Sequence, residues 1–223
     1  MQTRKILEKI YQQLLNAFGP QEWWPADSCF EVMIGAILTQ NTNWKNVEKA
    51  IANLRKRDLL TFTKLDRLSV RQLAALVKPA GYYNIKSQRI KEFLAFMRKE
   101  YKGDVRAMAK TECLKLRGQL LSVKGIGPET ADSILLYALN KPIFVVDAYT
   151  KRILLRHHLI STQADYPTIQ NFFMQHIKKE AEIYNEYHAL LVRCAKEFCR
   201  ATPLCEACPL NKTKYYAKPL WNN

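Results

Sequence analysis

The sequence predicts an all-α fold, and three observations carry that prediction. Apolar residues recur at three- and four-residue spacing along most of the chain, and glycine is scarce, with seven residues in total. The one stretch that resembles a strand, Pro142-Ile143-Phe144-Val145-Val146, is only a short run between two helical patterns. It reads as an extended connector rather than part of a sheet.

Taken in order, Met1 to Leu15 sets Arg4, Lys5, Glu8 and Lys9 among Ile6, Ile10, Leu14 and Leu15, the pattern of an amphipathic helix. Ser28 with Glu31 has the spacing of a capping box. It opens a very apolar helix through Phe30, Val32, Met33, Ile34, Ile37 and Leu38. A second helix runs from about Trp44 through Val47, Ile51 and Leu54. Further helices are expected near 70–78, 86–101, 111–121, 129–140, 148–159, 167–180 and 182–198. After Cys208 the character changes: Lys212, Lys214, Tyr215, Tyr216 and Trp221 fall in a segment without a clear period.

A chain of 223 residues with 48% hydrophobic content can bury a proper core, either as one large domain or as two small lobes sharing a cleft. Disorder is excluded. Lys+Arg 35 against Asp+Glu 20 gives a net charge of +15, spread along the chain. In a folded domain this favours a polyanionic partner, because each neutralised phosphate releases condensed counterions. A ribosomal or membrane-surface protein would carry the same charge. No apolar signal region follows the first helix, and no stretch approaches the roughly 18–20 apolar residues of a membrane span, so a cytoplasmic location is expected (nucleoid-associated in a bacterium). The six cysteines then read as thiols or metal ligands rather than disulfides.

The most informative segment is Leu121-Ser-Val-Lys-Gly-Ile-Gly-Pro-Glu-Thr-Ala131. One helix ends near Leu121, Gly125-Ile126-Gly127 makes a tight turn, and Pro128 stands at a first helical position. Glycines flanking a single apolar tip let the backbone approach a surface closely, and the amides opening the next helix can meet a phosphate. Gly-x-Gly alone would fit an ordinary helical hairpin. Downstream, however, Asp147 follows Phe144-Val145-Val146 and precedes the helix Ala148-Tyr-Thr-Lys-Arg-Ile-Leu. An aspartate there can serve simply as an N-cap.

Hairpin, helix, apolar connector and Asp at a helix start together resemble the helix-hairpin-helix DNA glycosylases of the endonuclease III superfamily, from about Phe30 to Cys208. The resemblance implies that the hairpin grips phosphate, often with a bound monovalent cation, through Lys124, Gly125 and Gly127, and that Asp147 is catalytic. The chemistry agrees. Base excision passes through an oxocarbenium-like sugar, and a carboxylate near C1′ stabilises that charge and can orient or deprotonate water. The base must first leave the stack.

Relatives that also cut the strand use a lysine amine four residues past the first hairpin glycine. Here that position is Glu129, which cannot form an imine. Water is then the nucleophile, no AP-lyase activity is expected, and Lys124 reads as a phosphate contact.

Leu38-Thr39-Gln40-Asn41-Thr42 resembles the family segment whose Gln fills the gap left by the flipped base. Gly81-Tyr82-Tyr83-Asn84-Ile85-Lys86 resembles the wedge loop, with Tyr82 as the stacking side chain. Trp23-Trp24-Pro25, with Trp44 after Gln40, is similar to the branch that removes 3-methyladenine, in which an alkylated purine stacks between aromatic rings. Alkylation makes the purine cationic, and an indole face attracts a cation. The bland reading of Trp44 is a core residue in phase with Val47, Ile51 and Leu54.

Cys199-x5-Cys205-x2-Cys208-Pro-Leu resembles the [4Fe–4S] loop of the superfamily, but a fourth cysteine further on is missing. Cys194 is in phase with Ile183, Tyr187, Leu190, Leu191 and Phe198, so it reads as a buried apolar residue. A cluster with an unidentified fourth ligand, a decayed loop and a zinc site all stay open.

The combined expectation is a monomer of two helical lobes with a DNA-binding cleft: residues 1–28 with 148–223 carrying the cysteine loop, and 29–147 carrying the hairpin. Double-stranded DNA with a damaged base is the expected partner. A glycosylase for uracil, mismatched thymine or an oxidised base on the same scaffold is one alternative. A non-catalytic helix-hairpin-helix DNA-binding protein is the other.

Overall fold

The computed structural model describes residues 2–211, and every regular element among them is helical. The tail that holds Lys212, Lys214, Tyr215, Tyr216 and Trp221 lies outside the described residues. In chain order the helices are α1 (Gln2–Phe18), α2 (Cys29–Leu38), α3 (Trp44–Arg55), α4 (Phe62–Arg67), α5 (Val70–Val77) and α6 (Tyr83–Tyr101). They continue with α7 (Val105–Lys110), α8 (Cys113–Leu121), α9 (Pro128–Ser133), α10 (Ala148–Arg156), α11 (Tyr166–Met174) and α12 (Ala181–Glu197). A π-helical turn, Ile134–Ala138, extends α9. No membrane-length apolar helix occurs among the described residues.

The chain divides into two units, Trp24–Asn140 and the pair Met1–Trp23 with Lys141–Asn223. These boundaries differ from those drawn on the sequence at 28/29 and 147/148. Trp24 already packs on the first unit: an added Cβ on Gly35 of α2 would come within 3.1 Å of its Cζ2, so glycine there leaves room for the indole. At the other end Phe144 packs with α11 and α12.

The first unit is built around α2, buried on all sides from Phe30 to Leu38 and therefore hydrophobic all round. Helices α3, α6 and α9 and the π-helical turn pack against it. The expected capping box is half made. The Ser28 hydroxyl accepts from the Glu31 amide (3.2 Å), but the Glu31 carboxylate accepts from Arg55 on α3 (2.5 Å) instead of returning to the cap. A full capping box occurs at Ser69 and Gln72, opening α5. Helices α4 and α7 were not anticipated, because six residues each are too few to establish a period.

In the second unit α12 buries Tyr184, Tyr187, His188 and Leu191, and α1 buries Ile6, Leu7, Ile10 and Leu14. The Tyr187 hydroxyl donates to the Leu7 carbonyl at 2.8 Å. The connector is extended, as expected, and wholly buried over Ile143, Phe144, Val145 and Val146. Its backbone finds partners from α11: Gln170 Nε2 donates to Phe144 O (2.6 Å) and Val146 N–H donates to the Tyr166 hydroxyl (3.4 Å). Phe144 stacks on Phe173 with centroids 3.9 Å apart and meets Tyr184 edge-on. That packing anchors the chain just before Asp147.

Candidate active site

Asp147 is the N-cap of α10, and its Oδ1 accepts from the Thr150 amide at 2.7 Å. The other oxygen, Oδ2, lies 3.7 Å from Nε2 of His188 on α12, and the Asp147 side chain is 14% exposed. Burial lowers the His188 pKa below 6.5; Asp147 opposes that shift and Lys196 adds to it. The imidazole is therefore neutral at pH 7. A protonated histidine would cancel the carboxylate's charge, whereas a neutral one leaves it intact for a cationic transition state. His188 was not visible in the sequence, where it is one residue on the buried face of a helix.

The hairpin joins α8 to α9 as expected. Val123 and Ile126 are buried and the Ile126 amide closes the turn on Val123 O (3.0 Å), so the apolar tip points inward while Lys124, Gly125 and Gly127 are exposed. Gly125 has φ +89°, and a Cβ there would come within 2.4 Å of Arg89 Cγ. Both the backbone and the arginine stem demand glycine. Arg117 on α8 donates through Nε and Nη2 to the two oxygens of the fully buried Asp132 on α9 (2.7 and 3.0 Å), a bidentate brace that keeps the two helices in register.

Gln40 lies against this hairpin. Its Nε2 donates to Gly125 O (3.0 Å) and Thr130 Oγ1 (2.9 Å), while Arg89 on α6 donates to its Oε1. Arginine has no acceptor, so the amide orientation is set. Filling a gap in a duplex would exchange these bonds for contacts with a base. Tyr82 is the N-cap of α6, left-handed at φ +45°, and 68% exposed; Ile85, one turn on, is 53% exposed. A left-handed tyrosine costs about 1–2 kcal/mol. The sequence singled out Tyr82 but not Ile85. Beneath them Lys86 is buried, its ammonium donating to Leu38 O (2.8 Å) and Ala80 O (2.7 Å). Burial, with repulsion from Arg89, lowers this amine to about 8.

Trp24 and Trp44 are brought together with Tyr137 of the π-helical turn, at centroid distances of 4.9 and 5.4 Å from Trp24. The two indoles meet edge to face at 85°, so they touch rather than form an open sandwich. A cavity of about 450 Å³ opens beside them, lined by Trp24, Trp44, Asp27, Glu31, Glu48 and Arg55 among others. Arg55 pairs with Asp27 (3.0 Å) and Glu31 (2.5 Å). Trp23 falls in the other unit.

The cysteines do not converge on one point among the described residues. Among the described residues no group of three or more His, Cys, Asp or Glu side chains could hold an ion. Cys205 is exposed, Cys199 Sγ accepts from Arg156 Nη1 (3.3 Å), and Cys208 Sγ lies 3.9 Å from Cys194 Sγ. Cys194 is buried, as its phase implied, but it is a thiol partner of Cys208 rather than a purely apolar filler. That bond raises the Cys194 thiol and lowers Cys208 to about 7.

A family model described as HhH-GPD superfamily base excision DNA repair protein matches residues 34–179, a span that starts within α2 and contains the hairpin and Asp147. The chain belongs to the HhH-GPD superfamily. This HhH-GPD protein is a DNA glycosylase of base excision repair, and DNA is its partner. It is 49% identical over 210 residues to a provisionally named DNA repair glycosylase of Methanocaldococcus jannaschii, covering 93% of this chain and 95% of the relative. The crystal structure of the H. pylori 3-methyladenine DNA glycosylase (MagIII) bound to 1,N6-ethenoadenine is 28% identical with a TM-score of 0.74, covering 87% of this chain and 97% of that one. A non-covalent endonuclease III–DNA complex shares the fold at 20% identity, with a TM-score of 0.80 and 95% of each chain covered.

Proposed function

We propose that this HhH-GPD glycosylase is monofunctional and releases an alkylated, cationic purine such as 3-methyladenine by hydrolysis. The cavity beside Trp24 and Trp44 carries this reading. In a chain of net charge +15 it collects three carboxylates, Asp27, Glu31 and Glu48, against Arg55 as the lining's basic side chain. Indole faces and carboxylates attract a cation and repel phosphate, and the volume lies within the roughly 300–1,000 Å³ of ordinary ligand sites. The likeness to a 3-methyladenine glycosylase at 28% identity supports the same class.

In this mechanism the exposed hairpin backbone at Gly125 and Gly127, with Lys124, takes a phosphate, while Tyr82 and Ile85 wedge into the stack and Gln40 fills the vacated gap. Asp147, anchored through one oxygen by Thr150, keeps its second oxygen for the sugar. As the C1′–N bond breaks, the base leaves with the bonding electrons, which neutralise its positive charge, so no general acid is required. The carboxylate stabilises the oxocarbenium, and water adds at C1′ and passes its extra proton to the Asp147 carboxylate. Glu129 stands exposed in the first turn of α9, where an imine-forming lysine would be needed for strand cleavage. Lys86 cannot substitute, since its amine is buried against two carbonyls.

The test is base release from matched duplexes carrying 3-methyladenine, 7-methylguanine, uracil, mismatched thymine or 8-oxoguanine. Release of the methylated purines ahead of the neutral bases is expected, leaving an intact abasic strand. Faster release of uracil, thymine or 8-oxoguanine overturns the assignment.

A further inference from the structure

Lys86 is 1% exposed, and no step of the reaction above uses it. An apolar side chain of similar length would fill the same space without the desolvation cost of a buried ammonium. What a lysine supplies here, and an apolar chain of that length cannot, is several donors on one compact ammonium.

Those donors reach two separate carbonyls, Leu38 O at 2.8 Å and Ala80 O at 2.7 Å. Leu38 ends α2, where carbonyls lack intrahelical partners and the helix dipole is negative. Ala80 ends the 3₁₀ turn Lys78–Ala80. Gln40 follows Leu38 by two residues, and Tyr82 follows Ala80 by two residues. Each segment then passes through a left-handed residue, Asn41 at φ +51° and Tyr82 at φ +45°. The amide of Lys86 also bonds Tyr82 O (2.9 Å), and Arg89, three positions on, holds the Gln40 side chain. Thus one helix, α6, holds the roots of both segments.

We propose that Lys86 is a positioning residue for duplex opening: its ammonium fixes the spacing between the Gln40 and Tyr82 segments so that both enter the stack together. This rests on the reading that those two side chains enter the duplex. Lys86 itself touches neither DNA nor the reacting bond.

The test compares wild type with Lys86→Met, which keeps the length and removes the donors, and Lys86→Gln, which keeps a shorter donor. Each is assayed well below its own Tm. The first readout is the fluorescence rise of 2-aminopurine placed opposite a stable abasic-site analogue when duplex is bound. The second is the ratio of kcat/KM on a paired lesion to kcat/KM on the same lesion in an unpaired loop, where little opening is needed. Lys86→Met should lose most of the fluorescence rise and lower the ratio on the order of 10- to 100-fold, with Lys86→Gln intermediate. A merely structural role would lower both kcat/KM values together and leave the ratio unchanged; that result, or a wild-type fluorescence rise, overturns the inference. Should Lys86→Met fail to fold, Lys86→Gln decides by the same criteria. If wild type releases no base from any substrate, the glycosylase reading fails while the fluorescence readout still decides this one.

Discussion

Replacing Asp147 with Asn separates its two roles, because the cap needs an oxygen and the chemistry needs a charge. The Thr150 amide bonds Oδ1 at 2.7 Å, and an asparagine carbonyl can accept that bond equally well, since Asn and Asp rank together as N-caps. The structural loss is then the charge–dipole attraction at the start of α10, about 0.3–1 kcal/mol. At about 2–4 °C per kcal/mol for a chain of this size, Tm should fall only slightly. The transition state loses its counter-charge, and the neutral His188 beside it offers no replacement, so base release should slow on the order of 10²–10³-fold. Asp147→Ala should be equally inactive but should also lose the cap, worth about 1 kcal/mol. Single-turnover base release, thermal melting and anisotropy titration of duplex DNA measure the three quantities. Release by Asp147→Asn within threefold of wild type would refute the catalytic role. A Tm drop matching that of Asp147→Ala would refute the division of labour between the oxygens.

Borohydride should trap no covalent protein–DNA species with wild type, whereas Glu129→Lys should give a trapped adduct; a wild-type adduct would show that another amine attacks the sugar. The two exposed hairpin glycines should part company. Gly125→Ala puts a side chain at φ +89° and into the Arg89 stem, costing about 1–2 kcal/mol or more in melting experiments. Gly127→Ala, extended at φ −93° and ψ 178° with no protein atom within 4 Å of the new Cβ, should melt like wild type and weaken only duplex binding. His188 has a folded pKa below its unfolded 6.5, so the unfolded chain binds the extra proton and stability falls as pH drops through 6.5. The Tm difference between pH 7.5 and pH 5.5 should therefore shrink in His188→Gln, and an unchanged difference would argue against a buried neutral imidazole.

The all-helical class was legible because helix formation is written in local spacing: the apolar faces of α1, α3 and α12 each recur within a few residues. So were the hairpin, whose glycines and Pro128 are contiguous, and Asp147, whose cap role is a neighbour effect. Short α4 and α7 escaped because one turn and a half carries no period. What tertiary structure alone decided is everything that joins residues distant in sequence. Gln40 meets Gly125 and Thr130 across 85 and 90 residues, Asp147 meets His188, and Lys86 reaches back 48 residues to Leu38. It also turned Trp24 and Trp44 edge to face and left Cys199, Cys205 and Cys208 without a common metal site among the described residues. The physical reason is the same in each case. Backbone propensity is settled over a few residues, whereas a hydrogen bond or a ring contact depends on where packing sets two side chains, to within a few tenths of an ångström.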